Sequence, residues 1–187
     1  MALRDPVRRK LTYKDYLLFP EDGNRHEILD GEHYVSAAPS PRHQRIVVQM
    51  TWWIESHLRQ QRLGSLYVAP IDILLAVHDI VQPDLLFISN ASMKILTEKN
   101  VQGPPDLVIE ILSDSTRKRD EGIKLERYDL LGVEEYWVVD PKREAARIYR
   151  RSGEHLQQAA ELTAAARDLL TSPFFPGLEI PLFEIFL

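Results

Sequence analysis

The chain has 187 residues, of which 44% are hydrophobic and 27% are charged, and this composition predicts one globular domain spanning residues 1–187. It contains no cysteine, which excludes disulfide bonds, thiolate catalysis and cysteine-ligated zinc. The net charge of -5 argues against a protein that wraps nucleic acid through bulk positive charge. A local basic patch is still compatible with it.

Targeting signals are missing from the sequence pattern. No stretch of apolar residues is long enough for a membrane-spanning helix, and the N-terminal segment MALRDPVRRKLTY lacks the apolar region of a signal peptide. We therefore expect a cytoplasmic protein with no membrane partner.

The N-terminal region predicts a short helix followed by a β-hairpin. Thr12 and Asp15 have the spacing of a helix-capping box. The segment 26–36 alternates like two strands joined at Asp30-Gly31, a dipeptide typical of tight hairpin turns.

A long helix and three strands are predicted next. Ser40 is a suitable N-cap and Pro41 a suitable first residue for a helix that ends near Gly64. The strands are predicted at the segments 66–75, 81–88 and 107–112. The second contains a proline that favours an edge or bulged strand, and the third is apolar on both faces, as in a central strand.

The C-terminal half predicts a second helix and a further pair of strands. The helix covers roughly 115–131 and closes at Gly132. A strand at 135–140 follows, and 147–150 is expected to pair with it after a turn. The order helix, three strands, helix, strand predicts a mixed α/β sheet with helices on its faces.

Two acidic residues interrupt otherwise apolar strands. Glu110 lies inside the run LVIEIL, and Asp84 lies in the preceding predicted strand. A buried carboxylate is costly unless it is paired, so Glu110 either belongs to a structural ion pair or serves a function. If the strands are neighbours, both acids converge on one face, where a cation such as Mg²⁺ or Mn²⁺ would relieve their repulsion.

The second helix supplies a candidate amine. Asp120, Lys124 and Tyr128 are spaced four residues apart and form one polar row, from which Lys124 would reach the two acids. A lysine beside a metal can polarise a phosphate or orient an attacking water. Alternatively, Asp120 is only an acid favoured near a helix start, and Tyr128 is a core residue.

These residues resemble the PD-(D/E)XK nuclease superfamily, whose restriction endonuclease-like core has the order αβββαβ. Pro83-Asp84 matches its proline-aspartate, and Glu110 matches its second acid. The segments HEILDGE, PSPRHQRI, PDLVIEILSDST and GVEEYWVVDP look more closely like a large bacterial family of mostly uncharacterised restriction endonuclease-like proteins. This likeness spans about 25–183.

The resemblance implies a Mg²⁺-dependent (or Mn²⁺-dependent) endonuclease that cleaves DNA, with a homodimer as the expected assembly. It implies metal binding by the carboxylates of Asp84 and Glu110 and by the main-chain carbonyl of Ile111. Leu112 stands where the family motif has its lysine, and Lys124 is the candidate replacement.

Glu27 and His43 are secondary candidates for the site. In related nucleases a glutamate from an N-terminal element joins the metal site, but Glu27 is equally compatible with an exposed hairpin residue. His43 is either a site residue, a solvated residue in the first turn of its helix, or a residue that bonds a neighbouring loop. The alternative function is a catalytically silent nuclease-fold module that binds nucleic acid or protein.

Overall fold

The structure is a computed structural model that describes residues 9–187, so the signal-peptide prediction lies partly outside the described residues. The helical segments are α1 (Tyr13–Tyr16), α2 (Pro41–Gln61), α3 (Arg117–Arg119), a π-helical turn (Asp120–Lys124) and α4 (Leu125–Leu130), with 3₁₀ turns at Met93–Ile95 and Leu182–Phe186. The strands are β1 (Arg25–Leu29), β2 (Glu32–Ser36), β3 (Gly64–Val68), β4 (Ile73–Ala76), β5 (Asp79–Val81), β6 (Leu85–Ser89), β7 (Val101–Gln102), β8 (Leu107–Ile111), β9 (Glu135–Asp140), β10 (Ala145–Ser152), β11 (His155–Thr163), β12 (Leu169–Leu170) and β13 (Ile180–Pro181).

A six-stranded mixed sheet in the order β11-β10-β9-β8-β6-β3 forms the centre of the fold. β8 pairs in parallel with β9 and antiparallel with β6, so it is a central strand, as its two apolar faces predict. Successive side chains of a strand point to opposite faces, and those of β8 pack into two separate hydrophobic cores, one on each face of the sheet.

The first core lies between the central sheet and α2. Ser40 caps this helix by accepting a hydrogen bond from the backbone N–H of His43, and Pro41 is its first residue, as predicted. Its buried stripe includes Ile46, Met50 and Ile54, which pack against the sheet together with the C-terminal 3₁₀ turn. The helix ends at Gln61, where Arg62 adopts a left-handed conformation with φ of 52°.

The second core lies on the opposite face of the central sheet. A five-stranded sheet in the order β2-β1-β5-β4-β7 contributes to it, together with the helical segments between residues 117 and 130. The β1–β2 hairpin turns at Asp30 and Gly31, both with positive φ, as the Asp-Gly dipeptide predicts.

Two strand predictions were wrong in the same way. The segment 66–75 divides into β3 and β4, and 81–88 divides into β5 and β6, with the members of each pair in different sheets. The breaks fall at Ala69-Pro70 and at Gln82-Pro83-Asp84, where proline has no N–H to continue a ladder. Asp84 therefore lies in the bend where the chain crosses between the sheets, not inside a strand.

The remaining predictions need smaller corrections. The second helix is present, but a π-helical turn divides it. β10 pairs with β9 as expected, and the pairing is longer than predicted. Among the described helices, none is both long enough and apolar enough to cross a membrane.

Candidate active site

Asp84 and Glu110 lie opposite each other at one end of the β6–β8 pair. Leu85 pairs with Ile109, so the register places Asp84 beside Glu110. Both side chains point to the face of the second core, because the neighbouring Leu85 and Ile109 belong to the first. Both line a cavity of about 420 Å³, and the structure thus brings the two acids together.

Asp84 is buried and fully engaged by three donors. Its Oδ1 accepts a hydrogen bond of 2.9 Å from Nη1 of Arg25, and its Oδ2 lies 3.0 Å from Nε2 of His43. The backbone N–H of Ile111 also donates to Oδ2, at 2.8 Å. Burial acts to raise the pKa of Asp84, but the hydrogen bond and charge of His43 and the charge of Arg25 lower it to about 2. Asp84 is therefore a carboxylate at neutral pH.

Glu110 differs from Asp84 in that its pKa is raised rather than lowered. Its Oε1 accepts hydrogen bonds from Nζ of Lys124 at 2.7 Å and from the hydroxyl of Tyr128 at 3.0 Å. Burial raises the pKa of Glu110 against the opposing effect of Lys124, and nearby carboxylates including Asp84 also raise it, to about 8 in total. The protonated form of Glu110 is therefore favoured near neutral pH, and a bound cation would displace that proton.

Lys124 is the central cation of a buried network. Its Nζ lies 2.9 Å from Oε1 of Glu27 and 3.6 Å from Oδ1 of Asp120, in addition to its contact with Glu110. Burial acts to lower the pKa of Lys124, but the carboxylates of Glu110 and Glu27 raise it overall. Lys124 therefore faces Glu110 and Glu27, whereas the sequence interpretation placed it over both Asp84 and Glu110.

The two secondary candidates are also buried at the site. Glu27 is inaccessible to solvent, and its Oε1 accepts a hydrogen bond from the backbone N–H of Gln82 at the sheet crossing. His43 is 7% exposed and contacts Asp84. An exposed hairpin position for Glu27 and a solvated position for His43 are therefore wrong. The other alternative for His43, a bond to a neighbouring loop, agrees with its contact to Asp84 in the bend at 82–84.

Two basic residues complete the site, and one of them, Arg25, was missed from the sequence. Arg25 contacts Asp84, and Arg119 lies 3.7 Å from Oε2 of Glu27 while donating to the hydroxyl of Ser36. Arg25 precedes Glu27 by two positions on β1, and the alternation of a strand places such residues on one face. The two-residue spacing from Glu27 was therefore the sequence signal that could have identified Arg25.

The cluster contains one more carboxyl group than permanent cations. Four carboxyl groups face three permanent cations, namely Glu27, Asp84, Glu110 and Asp120 against Arg25, Arg119 and Lys124. Two carboxylate oxygens, Oε2 of Glu27 and Oδ1 of Asp120, are buried without a hydrogen bond among the described residues. Burial also raises the pKa of Asp120. A proton on Glu110 balances these charges, and a bound cation would take its place.

The donor set fits a magnesium-type ion in an open site. Within residues 9–187, no three His, Asp or Glu side chains are grouped like a closed metal site. Mg²⁺ commonly uses only one or two carboxylates, and water and substrate phosphates complete its coordination. Oε2 of Glu110 accepts no hydrogen bond from the described chain, so an oxygen beside Asp84 is available.

Comparisons with known proteins agree with this fold. A family model described as "Putative restriction endonuclease", named Uma2, matches residues 13–182. The crystal structure of a protein from Anabaena variabilis ATCC 29413, titled a putative nuclease belonging to DUF820, superposes with a TM-score of 0.79. The identity is 19%, and the alignment covers 94% of this chain and 97% of that chain. No curated protein matches the sequence.

The family match and the fold confirm the resemblance and the α/β fold class predicted from the sequence. The matched residues extend from α1 to the last 3₁₀ turn and include every predicted site residue. The chain therefore belongs to the Uma2 family of restriction endonuclease-like proteins.

Proposed function

We propose that this protein is a divalent-metal-dependent endonuclease that hydrolyses phosphodiester bonds of DNA. The observation that carries the proposal is the placement of Asp84 and Glu110 opposite each other in one cavity, with the Lys124 amine on Glu110. The family and its nuclease-like fold support a hydrolytic role.

The proposal gives each residue a role. Asp84, Glu110 and the main-chain carbonyl of Ile111 would hold Mg²⁺ or Mn²⁺, which when bound would lower the pKa of a water molecule and neutralise charge on the scissile phosphate. Lys124 stays protonated and stabilises negative charge that develops on the phosphate. Tyr128 orients Glu110 through its hydroxyl.

The residues around Asp84 prepare it for this role. His43 and the backbone N–H of Ile111 bind the same oxygen and keep the group ionised and fixed. Arg25 binds the other oxygen and would turn to the phosphate when an ion takes its place.

Nicking of closed circular plasmid DNA tests the proposal, because a plasmid without ends is cut only by an endonuclease. We expect nicking with Mg²⁺ or Mn²⁺ and its loss in Glu110→Gln. Glu135→Gln is the matched control, since Glu135 is equally buried in the adjacent strand and lies outside the cavity. Equal nicking by wild type and Glu110→Gln would contradict the proposal.

A catalytically silent module is the second candidate. It is favoured by Asp84, whose two oxygens are already satisfied by protein donors without any metal. Calorimetric titration with Mn²⁺ separates the candidates: binding by wild type that Asp84→Asn abolishes supports the enzyme, and no binding by wild type supports the module.

The homodimer expected from the family stays a prediction. Light scattering of the purified protein tests it directly, with a dimer mass as the expected result.

A further inference from the structure

A second cavity adjoins the first at Asp84. It has a volume of about 350 Å³, within the range of small-ligand sites, roughly 300–1,000 Å³. Arg25, His43 and Asp84 line both cavities, as does the segment 37–39. The two spaces therefore form one cleft, and Asp84 lies at their junction rather than at a closed end.

The two halves of the cleft differ in charge. Six lysine or arginine residues and four acidic residues line the first cavity, although the whole chain has a net charge of -5. The second is lined by one arginine and one aspartate, the shared Arg25 and Asp84, among its charged residues. Phosphate groups are attracted to the first half, and the second half suits an uncharged group.

The second cavity combines apolar walls with one free amide group. Val47, Val68 and Pro70 supply apolar surface. The side-chain amide of Gln44 has no hydrogen-bond partner within the described chain. The two other lining amides are engaged, because the side chain of Asn24 is hydrogen-bonded to Asp22 and that of Gln82 is held by Asp72 and Tyr16.

A nucleobase would fit this combination of apolar walls and a free amide. Its faces are apolar enough to lie against aliphatic side chains, and its edge carries donors and acceptors that match a glutamine amide. A phosphate would find little charge here, and a purely apolar ligand would offer the Gln44 amide no partner.

We infer that the second cavity is a base-binding subsite, which receives an unpaired nucleobase of a DNA strand whose phosphates lie in the cationic half. The inference rests on the proposed endonuclease function and adds a substrate class. Because stacked neighbours cover the faces of a base inside a duplex, the substrate must be single-stranded or must present a flipped base.

Binding without divalent metal tests the subsite independently of cleavage. Short fluorescein-labelled single strands with normal bases and strands of equal length with abasic sites are titrated in EDTA, with anisotropy as the readout. We expect wild type to bind the normal strand several times more tightly than the abasic strand and than the same sequence in a duplex.

Two exposed glutamines of α2 provide matched variants. Gln44→Ala removes one amide from the subsite and should weaken binding of the normal strand about two- to tenfold, with abasic-strand binding unchanged. Gln60→Ala lies near the other end of α2, outside both cavities, and should leave both affinities unchanged.

The outcomes separate the two hypotheses. Equal affinity for normal and abasic strands, tighter binding of the duplex, or no binding of any strand would overturn the subsite. Base-dependent binding that Gln44→Ala weakens would support the subsite even if plasmid nicking failed, and that combination would contradict only the hydrolytic function.

Discussion

Replacing Lys124 by methionine should destabilise the protein strongly, although methionine fits a similar volume. The Lys124 amine is buried and lies 2.7 Å from Glu110, 2.9 Å from Glu27 and 3.6 Å from Asp120. Removing one partner of a buried ion pair leaves uncompensated buried charge and typically costs about 3–5 kcal/mol. We therefore expect the free energy of unfolding at neutral pH to fall by about that amount, measured by urea denaturation in EDTA.

Lys142→Met is the matched control, because the Lys142 side chain is 68% exposed and pairs with Asp114 at the surface. Such a pair contributes at most about 1 kcal/mol. A loss in Lys124→Met no larger than in the control would refute the reasoning.

The pH dependence of the Lys124→Met deficit provides a second check. Without the amine, the folded-state pKa values of Glu110 and Asp120, already raised by burial, rise further, and that of Glu27 is no longer lowered by Lys124. The folded variant then binds more protons than its unfolded chain, so its stability falls as pH rises. The difference from wild type should consequently shrink between pH 7 and pH 5. A deficit independent of pH would point to lost packing instead of unpaired charge.

Three further predictions concern the same cavity. The affinity for Mn²⁺ should rise roughly tenfold per pH unit up to pH of about 8, because the ion displaces a proton from Glu110, and calorimetry in buffers of different ionisation enthalpy should detect the released proton. Arg25→Gln should bind Mn²⁺ more tightly, on the order of tenfold, because it removes a competing hydrogen bond to Asp84 worth about 1.5–3 kcal/mol; an unchanged calorimetric affinity would contradict this competition. Tyr128→Phe should lower the free energy of unfolding by about 1 kcal/mol in a urea titration, since Glu110 loses one donor and keeps Lys124; a loss as large as in Lys124→Met would contradict it.

Local sequence signals predicted where helices, turns and strands lie better than they predicted which strands pair in the same sheet. The cap at Ser40, the Asp30-Gly31 turn and the apolar run of β8 each act within a few residues, and all three appear as expected. Assignment of strands to sheets depends instead on contacts distant in sequence. Apolar residues continue on both sides of Pro70 and of Pro83, so periodicity alone could not show that the chain changes sheets there.

The site was predicted in part for the same reason. Asp84 and Glu110 were recognisable because an acid inside an apolar run is unusual, and the adjacent strands bring them together. Arg25 lies in a polar hairpin, where a basic residue is common and carries no signal alone. Its contact with Asp84 joins residues 59 positions apart and follows from the packing of the hairpin against the sheet crossing.

The position of the Lys124 amine agrees with its proposed role in place of the motif lysine. Leu112 follows Glu110 by two residues and is buried in the second core on the same face, so a lysine there would displace apolar packing. Four residues of α-helix, as from Lys124 to Tyr128, rotate by about 40° more than a full turn. The wider π-helical turn from Asp120 to Lys124 rotates by less than a full turn over four residues. The two deviations offset each other, which keeps Asp120, Lys124 and Tyr128 directed at the cluster around Glu110. Lys124, on the helical segment, therefore supplies the positive charge that β8 lacks at Leu112. Leu112 can then remain part of the second hydrophobic core.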